Sequence, residues 1–320
     1  MLSALEVKRK LPQAFVDNLY ELFSPLTVDK ILTGMSGERY TTLRVNTITY
    51  DIQELMRYFK EINIKFERVP WYQDALIIKN ATEKEIQKLD IFKQGKIYLQ
   101  SLSSMVPPLV LNPKSGEKVL DLTAAPGSKT TQMAAFMKNQ GYILANELDK
   151  IRCERLKYNV EQQGVTIVEI SNDYGERIGA KYHETFDKVL LDTPCSGEGR
   201  FLASDAQTYR SWSTKKVLEL AKIQKKLFKS AYEALKPNGI MVYSTCTLNL
   251  EENEQIIEWA LEQFDNLKIL PIELELKEAQ MGLTSNTKQA IKILPSKNME
   301  GFFVTKMLKK DCCNHKTFML

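Results

Sequence analysis

Residues 119–130 decide the fold of this chain, and they read Val119-Leu120-Asp121-Leu122-Thr123-Ala124-Ala125-Pro126-Gly127-Ser128-Lys129-Thr130. The apolar start is typical of a buried strand, and the small residues that follow let the backbone approach a ligand closely. A helix that begins after this loop would offer its free amide groups to the same ligand. We therefore interpret the stretch as a strand, a ligand loop and the start of a helix.

Downstream of this loop, apolar strands alternate regularly with helices. Strands are predicted at 119–120, 142–145, 167–168, 189–191, 240–243 and 301–307, with helices between them that include 149–163 and 214–235. Such alternation is typical of parallel strands connected by crossover helices. It predicts an α/β fold with a Rossmann-like, doubly wound sheet over residues 106–310.

The first 105 residues follow a different pattern. Apolar residues at helical spacing predict helices up to about residue 36, and short strands and helices alternate from about 40 to 100. This mixture predicts a small α+β module similar to an RNA recognition motif, of the kind that often binds RNA. Residues 311–320 are expected to form a loose tail.

Composition places the chain among ordinary globular proteins, with 320 residues, 43% hydrophobic and 26% charged. The net charge of +4 permits a polyanionic partner without requiring one. No apolar run reaches the roughly 20 residues of a membrane span. Five cysteines without the spacing of a disulfide framework fit a reducing compartment, so we expect a cytoplasmic protein. We also expect a monomer. With only His183 and His315 present, no histidine-based metal site is expected.

The ligand loop lacks the glycine and lysine spacings of dinucleotide and phosphate loops. It therefore favours a ligand without phosphates, and a helix start suits the carboxylate of S-adenosylmethionine. Glu147, at the end of the next strand, can accept hydrogen bonds from both ribose hydroxyls. Asp173, after the third strand, is a candidate acceptor for the adenine amino group. Together these residues predict S-adenosylmethionine as the cofactor.

Two cysteines follow apolar strands, Cys195 after 190–194 and Cys246 after 242–245. Ligands and chemistry collect where parallel strands end. A partly exposed thiolate attacks electrophilic carbon well, so each cysteine is a candidate nucleophile. The residue pattern alone does not distinguish them.

Several motifs in order resemble the Sun/Fmu family of S-adenosylmethionine-dependent RNA cytosine-5 methyltransferases. The motifs that carry this resemblance lie at 44–46, 98–105, 124–130, 192–199, 244–247, 251–254 and 301–303. The resemblance runs from about residue 10 to 308 and is closest to the bacterial 16S rRNA members. It implies that Cys246 is the nucleophile and that Cys195 helps to release the product. It also implies a cofactor site formed by Thr123, Ala124, Ala125, Pro126, Gly127, Ser128, Lys129, Thr130, Glu147, Arg152, Asp173 and Asp192.

The implied reaction explains why thiols are needed. Addition of a thiolate to carbon 6 of cytosine makes carbon 5 nucleophilic enough to accept a methyl group. Lys129 and the cofactor cation would favour the thiolate, and Asp192 would hydrogen-bond the cytosine ring. A Pro-Cys pair is also the nucleophile motif of DNA cytosine methyltransferases, which would nominate Cys195. The Thr-Cys pair favours Cys246 and an RNA substrate.

The expected partner is RNA, with rRNA favoured and tRNA as the alternative. A flexible or single-stranded target lowers the cost of moving the base out of its stack. A second interpretation is an RNA-binding ribosome-assembly factor without turnover, which the presence of both cysteines and Asp192 disfavours. A DNA methylase is disfavoured by the Thr-Cys motif.

Overall fold

The computed structural model describes residues 2–311, so most of the predicted tail lies outside the described residues. The helices are α1 Ala4–Lys10, α2 Gln13–Leu22, α3 Pro25–Gly34, α4 Ile52–Glu61, α5 Glu83–Ile86, α6 Asp90–Lys93, α7 Leu102–Leu111, α8 Ser128–Phe136, α9 Lys150–Gln162, α10 Gly175–Lys181, α11 Thr214–Ala234 and α12 Glu254–Gln263. The strands are β1 Thr41–Val45, β2 Phe66–Val69, β3 Tyr72–Ile78, β4 Ile97–Leu99, β5 Lys118–Asp121, β6 Tyr142–Asn146, β7 Val168–Ser171, β8 Phe186–Asp192, β9 Leu235–Thr245, β10 Leu267–Leu270, β11 Ala279–Met281, β12 Ile291–Ile293 and β13 Phe302–Lys309.

The larger sheet is doubly wound, which confirms the predicted fold class. Its strand order is β11-β12-β13-β9-β8-β5-β6-β7, and β10 also pairs with β13. Strands β5 to β9 run parallel, whereas β13 pairs antiparallel with β9. The chain runs outward from β5 through β6 to β7, then returns to β8 on the other side of β5. Such a switch point leaves a crevice at the carboxyl ends of the strands, where ligands bind in open α/β sheets.

The central strands are apolar because helices cover both faces of the sheet. Val119 and Leu120 of β5 are fully buried, and each belongs to the hydrophobic core on a different face. The register of β8 against β9 pairs Asp192 with Ser244. Polar side chains therefore begin at the same level on neighbouring strands, directly at the crevice.

The N-terminal module has the element order β1-α4-β2-β3-α5-α6-β4, and its antiparallel sheet has the order β2-β3-β1-β4. This is the ferredoxin-like arrangement. One sheet face packs on α4, with Leu43 and Phe59 in one core cluster. From the opposite face the buried Arg44 donates to the carbonyl of Ser128 (3.0 Å) and the hydroxyl of Thr131 (2.7 Å). RNA recognition motifs stack bases on that face, but here α8 occupies it. This sheet face is therefore buried between the two domains.

The helices before residue 36 form as predicted, but they pack on the larger, Rossmann-like domain. Phe15 of α2 makes edge contacts with Phe201 and Trp212, which lie in the segment between β8 and α11. The predicted boundary between residues 105 and 106 falls inside α7, which includes Pro107 and Pro108. Met105 belongs to the core cluster of the larger sheet, so α7 is part of that domain's packing.

No helix within residues 2–311 combines the length and apolar character needed to cross a membrane.

Candidate active site

A cleft of about 1660 Å³ lies at the carboxyl ends of β5, β6, β8 and β9. The predicted site residues that line it are Thr123, Ala124, Ala125, Pro126, Ser128, Lys129, Glu147, Arg152, Asp192, Cys195 and Cys246. The structure therefore brings both thiols and most of the proposed cofactor residues to one cavity. Three predicted residues, Gly127, Thr130 and Asp173, lie outside its lining.

The ligand loop connects β5 to α8 and turns at Gly127, whose φ of +102° favours glycine over residues with a side chain. Ser128 is the first residue of α8, so the free amides of this helix lie at the loop. Beneath the loop, the hydroxyl of Thr130 donates to the Asp121 carboxyl group (2.7 Å). Burial of Asp121 raises its pKa to about 7. Thr130 and Asp121 thus stabilise the loop from below.

Glu147 and Asp173 follow β6 and β7 but have different surroundings. Glu147 is buried at the cleft, and its carboxylate lies 3.5 Å from the guanidinium of Arg152. Arg152 also donates to the Ala125 carbonyl (2.8 Å), which joins α9 to the ligand loop. The Asp173 carboxylate instead accepts from the Tyr174 amide (2.7 Å) beside the cleft. The geometry thus supports Glu147 as a ligand-facing acid and gives Asp173 a local turn contact.

The two cysteines meet at the ends of β8 and β9. The Cys195 and Cys246 sulfur atoms are 3.2 Å apart, and both are free, half-buried thiols. The hydrogen bond with Cys246 and burial raise the pKa of Cys195 well above its usual range. Either sulfur atom can donate to the other, so both thiols remain candidates for the reactive thiolate.

Asp192 lies between the thiols and the ligand loop. Its carboxylate accepts from Lys129 at 2.6 Å and from the Ser244 hydroxyl at 2.7 Å. Lys129 also donates to the Ser104 hydroxyl (2.8 Å), so its ammonium is fixed by two elements. The Thr123 hydroxyl donates to the Asp192 carbonyl (2.8 Å). Asp192 and Lys129 therefore form an ordered charged pair next to the thiols.

The sequence interpretation missed three buried polar residues behind the thiols. Asn249 donates to Glu252 at 2.7 Å and to Glu198 at 3.0 Å. Glu198 also accepts from the ring nitrogen of Trp212 (3.0 Å) and from the Leu248 amide (3.2 Å). Burial raises the pKa of both glutamates. Glu198 lies in the motif at 192–199, and Glu252 lies in the motif at 251–254. These motifs were the available signal for the two glutamates, but the sequence could not show that both accept hydrogen bonds from Asn249.

Arginines complete the wall opposite the ligand loop. Arg200 lies 3.8 Å from the Glu300 carboxylate, and this carboxylate, followed by the nearby thiols, raises the pKa of Arg200. Arg39 donates to the carbonyls of Gly199 and Met299, both at 3.2 Å. Two guanidinium groups and one carboxylate, those of Arg39, Arg200 and Glu300, therefore line this part of the cleft.

The sheet topology and its cleft define a Rossmann-like methyltransferase. A solved methyltransferase homologue from Pyrococcus horikoshii shares 33% identity and superposes with a TM-score of 0.77, covering 93% of this chain and 100% of the homologue. A sequence model of the 16S rRNA methyltransferase RsmB/F family matches residues 108–308. The chain belongs to this family, which confirms the Sun/Fmu resemblance seen in its motifs.

Curated relatives include two kinds of RNA methyltransferase. Ribosomal RNA small subunit methyltransferase F of Aliivibrio fischeri is 38% identical over 309 residues, which cover 94% of this chain and 64% of that protein. The chain thus spans less than two thirds of that relative's length. The tRNA (cytosine(49)-C(5))-methyltransferase of Pyrococcus abyssi is 36% identical over 276 residues, covering 84% of this chain and 88% of that protein. The structure of NSun6 from Pyrococcus horikoshii with SFG, at 21% identity and a TM-score of 0.83, shares the fold.

Proposed function

We propose that this protein transfers a methyl group from S-adenosylmethionine to carbon 5 of a cytosine in RNA. The observation that carries the proposal is the contact between the Cys195 and Cys246 thiols, 3.2 Å apart beside Asp192. Covalent catalysis at an aromatic base needs a nucleophile and a means of releasing the product. The P. abyssi relative, named for this reaction on tRNA, matches over 88% of its length.

The cleft suits S-adenosylmethionine in the chemistry of its donors and acceptors. The amides at the start of α8 suit the cofactor's carboxylate, and Glu147 suits the ribose hydroxyls. When bound, S-adenosylmethionine supplies an electrophilic methyl group.

Cys246 is the proposed nucleophile. Its thiolate adds to carbon 6 of cytosine, and the electrons of the ring double bond move toward the ring nitrogen and carbonyl. Asp192, oriented by Lys129 and Ser244, is placed to accept a hydrogen bond from the amino group of the cytosine. Carbon 5 would then form its bond to the methyl group while the bond from that methyl group to the sulfonium sulfur breaks, and the neutral thioether is the leaving group. The thiolate thus divides one difficult substitution into two easier steps.

Cys195 is the proposed residue for product release. After methyl transfer the proton on carbon 5 must leave, so that the carbon–sulfur bond to Cys246 breaks and the double bond re-forms. The sulfur of Cys195 lies next to that of Cys246, and it can accept this proton directly or through water. Once Cys246 has given its charge to the ring, Cys195 can lose its own proton to water, and the resulting thiolate is the base that accepts the proton from carbon 5.

Ribosomal RNA is the favoured substrate class, because the relatives named small subunit methyltransferase F match over 94% of this chain. A tRNA substrate is the second candidate. It is favoured by the coverage of the P. abyssi relative, 88% against 64% for the A. fischeri protein.

The experiment is transfer of a radiolabelled methyl group from S-adenosylmethionine to unmodified small-subunit rRNA, tRNA or DNA, followed by bisulfite sequencing. We expect labelled 5-methylcytosine in one RNA class and none in DNA. Label found at another atom, or in DNA, would contradict the proposal. Label in tRNA alone would select the second candidate.

A further inference from the structure

Glu252 is connected by hydrogen bonds to the residues on both sides of Cys195, directly to Ser196 and through Gln224 to Pro194. Its carboxylate accepts from the Ser196 amide (2.9 Å), which follows Cys195, and from the Gln224 side chain (2.9 Å). The same Gln224 nitrogen donates to the carbonyl of Pro194 (3.0 Å), which precedes Cys195. The two peptide groups that flank this thiol are therefore tied to one buried acid.

Glu252 is also joined to the strand that carries Cys246. The hydroxyl of Tyr243 on β9 donates to the Glu252 carbonyl (2.6 Å), and Asn249 donates to the Glu252 carboxylate (2.7 Å). Asn249 lies three residues after Cys246. One residue therefore connects the two thiol-bearing segments through its main chain and its side chain.

The hydrogen-bond partners indicate that Glu252 is ionised. Within the described chain, the partners of its carboxylate are N–H donors from Ser196, Gln224 and Asn249. A protonated carboxyl group would need an acceptor for its own proton. Its relative exposure is 0%, so the charge is stabilised by these three donors rather than by water.

We propose that Glu252 is a positioning residue that holds the Cys195 loop so that the Cys195 thiol stays against Cys246. Its negative charge also disfavours a thiolate on Cys195, in agreement with the raised pKa of that thiol. Because Cys195 acts only after Cys246 has reacted, Glu252 controls release of the product more than formation of the adduct. This inference rests on the proposed function of the two cysteines.

The test compares Glu252→Gln with Cys195→Ala, Glu254→Gln and Glu251→Gln. Glu254 is an equally buried acid that pairs with Lys292 (3.1 Å), so its variant controls for lost stability. Glu251 is the half-buried neighbour of Glu252, and its variant controls for the loss of one negative charge. Each protein is incubated with S-adenosylmethionine and substrate RNA, and RNA-linked enzyme is quantified on denaturing gels alongside turnover.

We expect Glu252→Gln to raise the ratio of RNA-linked enzyme to released product by about tenfold or more, as for Cys195→Ala. The two controls should keep the wild-type ratio. Gln224→Met, which removes the link between Glu252 and Pro194 and leaves the Ser196 and Asn249 donors to Glu252 in place, should shift the ratio in the same direction and covers the case in which Glu252→Gln does not fold. If Cys195→Ala traps RNA while Glu252→Gln and Gln224→Met keep the wild-type ratio, the inference is wrong. If Cys195→Ala traps no RNA, the proposed function fails instead.

A second measurement does not depend on RNA. Alkylation of the free enzyme by iodoacetamide, followed peptide by peptide, reports the reactivity of each thiol. Loss of the Glu252 charge and of its hydrogen bonds should raise the alkylation rate at Cys195, because both changes favour the thiolate of Cys195 and its exposure to the reagent. An unchanged rate at Cys195 in a folded Glu252→Gln protein would overturn the inference.

Discussion

The ammonium group of Lys129 lies 2.6 Å from the carboxylate of Asp192, which joins the ligand loop to the end of β8. Both side chains are mostly buried, and Ser244 of β9 donates to the second carboxylate oxygen of Asp192. An acid held in this way has a fixed direction, which is the condition for electrostatic stabilisation of a reacting base. The pair also places a positive charge within the cleft that holds the thiols.

Asp192→Asn should lower the turnover number by about 10²–10³-fold, the size expected when one oriented polar contact to the reacting group is lost. Single-turnover methylation at saturating S-adenosylmethionine measures this effect. Asp187→Asn is the matched control, since Asp187 lies on the same strand but pairs with Lys236 at the far end. A loss of the same size in both variants would show that the effect is structural.

The two cysteine variants should fail in different ways. Cys246→Ala removes the proposed nucleophile, so it should form neither RNA adduct nor methylated product. Cys195→Ala keeps the nucleophile and should accumulate RNA-linked enzyme. Cys153→Ala, a buried cysteine on α9, is the control and should behave as wild type. A stable adduct in Cys246→Ala would reverse the assignment of the two thiols.

The sequence predicted the features that depend on local patterns. Apolar runs before Asp121, Asp192 and Cys246 marked the parallel strands, because strands covered on both faces must be apolar. Parallel strands end on one edge of a sheet, so the meeting of these residues in one cleft could also be anticipated. The distance between the two thiols depends on the register of β8 against β9, and so do the hydrogen-bond partners of Asp192. Only the structure gives that register.

The sequence did not predict the features that depend on packing between distant segments. Arg44 belongs to one of the motifs found in the sequence. Only the structure shows that its side chain binds α8 and that the sheet face of the N-terminal module packs on this helix. Phe15 was correctly placed on a helix, yet its partner Phe201 lies in another domain. The change of pattern predicted a boundary between residues 105 and 106, but α7 runs across it, because burial of its apolar residues outweighs the low helix propensity of Pro107 and Pro108.

Glu147→Gln should weaken binding of S-adenosylmethionine by about ten- to a hundredfold, because hydrogen bonds to a charged acceptor are worth roughly 1.5–3 kcal/mol. Isothermal titration with the free enzyme measures this affinity without RNA. Glu154→Gln, an exposed acid on α9, is the control. Equal affinities for wild type and Glu147→Gln would exclude Glu147 from the cofactor site.

Lys292→Met should destabilise the protein by about 3–5 kcal/mol, because it leaves the Glu254 carboxylate buried without its partner. Both side chains have 0% exposure, and their charged atoms are 3.1 Å apart. Urea denaturation measures the free energy of unfolding. The double variant Lys292→Met/Glu254→Leu should recover most of the loss, since apolar residues can replace a buried ion pair. No recovery in the double variant would show that Lys292 stabilises the fold mainly through the Leu248 carbonyl, to which it also donates (2.8 Å).

Asp121 should make the stability of the free enzyme fall as the pH rises. Burial raises its pKa in the folded state to about 7, whereas an unfolded aspartate titrates near 3.9. Between these values the folded state holds a proton that the unfolded state has lost, so the free energy of unfolding decreases with pH and levels off above pH 7. The full decrease in the free energy of unfolding is on the order of 4 kcal/mol.

Asp121→Asn cannot ionise, and its amide oxygen can still accept from Thr130. Its stability relative to wild type should therefore increase from pH 4 to pH 7 and stay constant above, as measured by urea denaturation across this range. A difference that does not change with pH would show that Asp121 is ionised throughout and that Lys129 and the loop stabilise its charge.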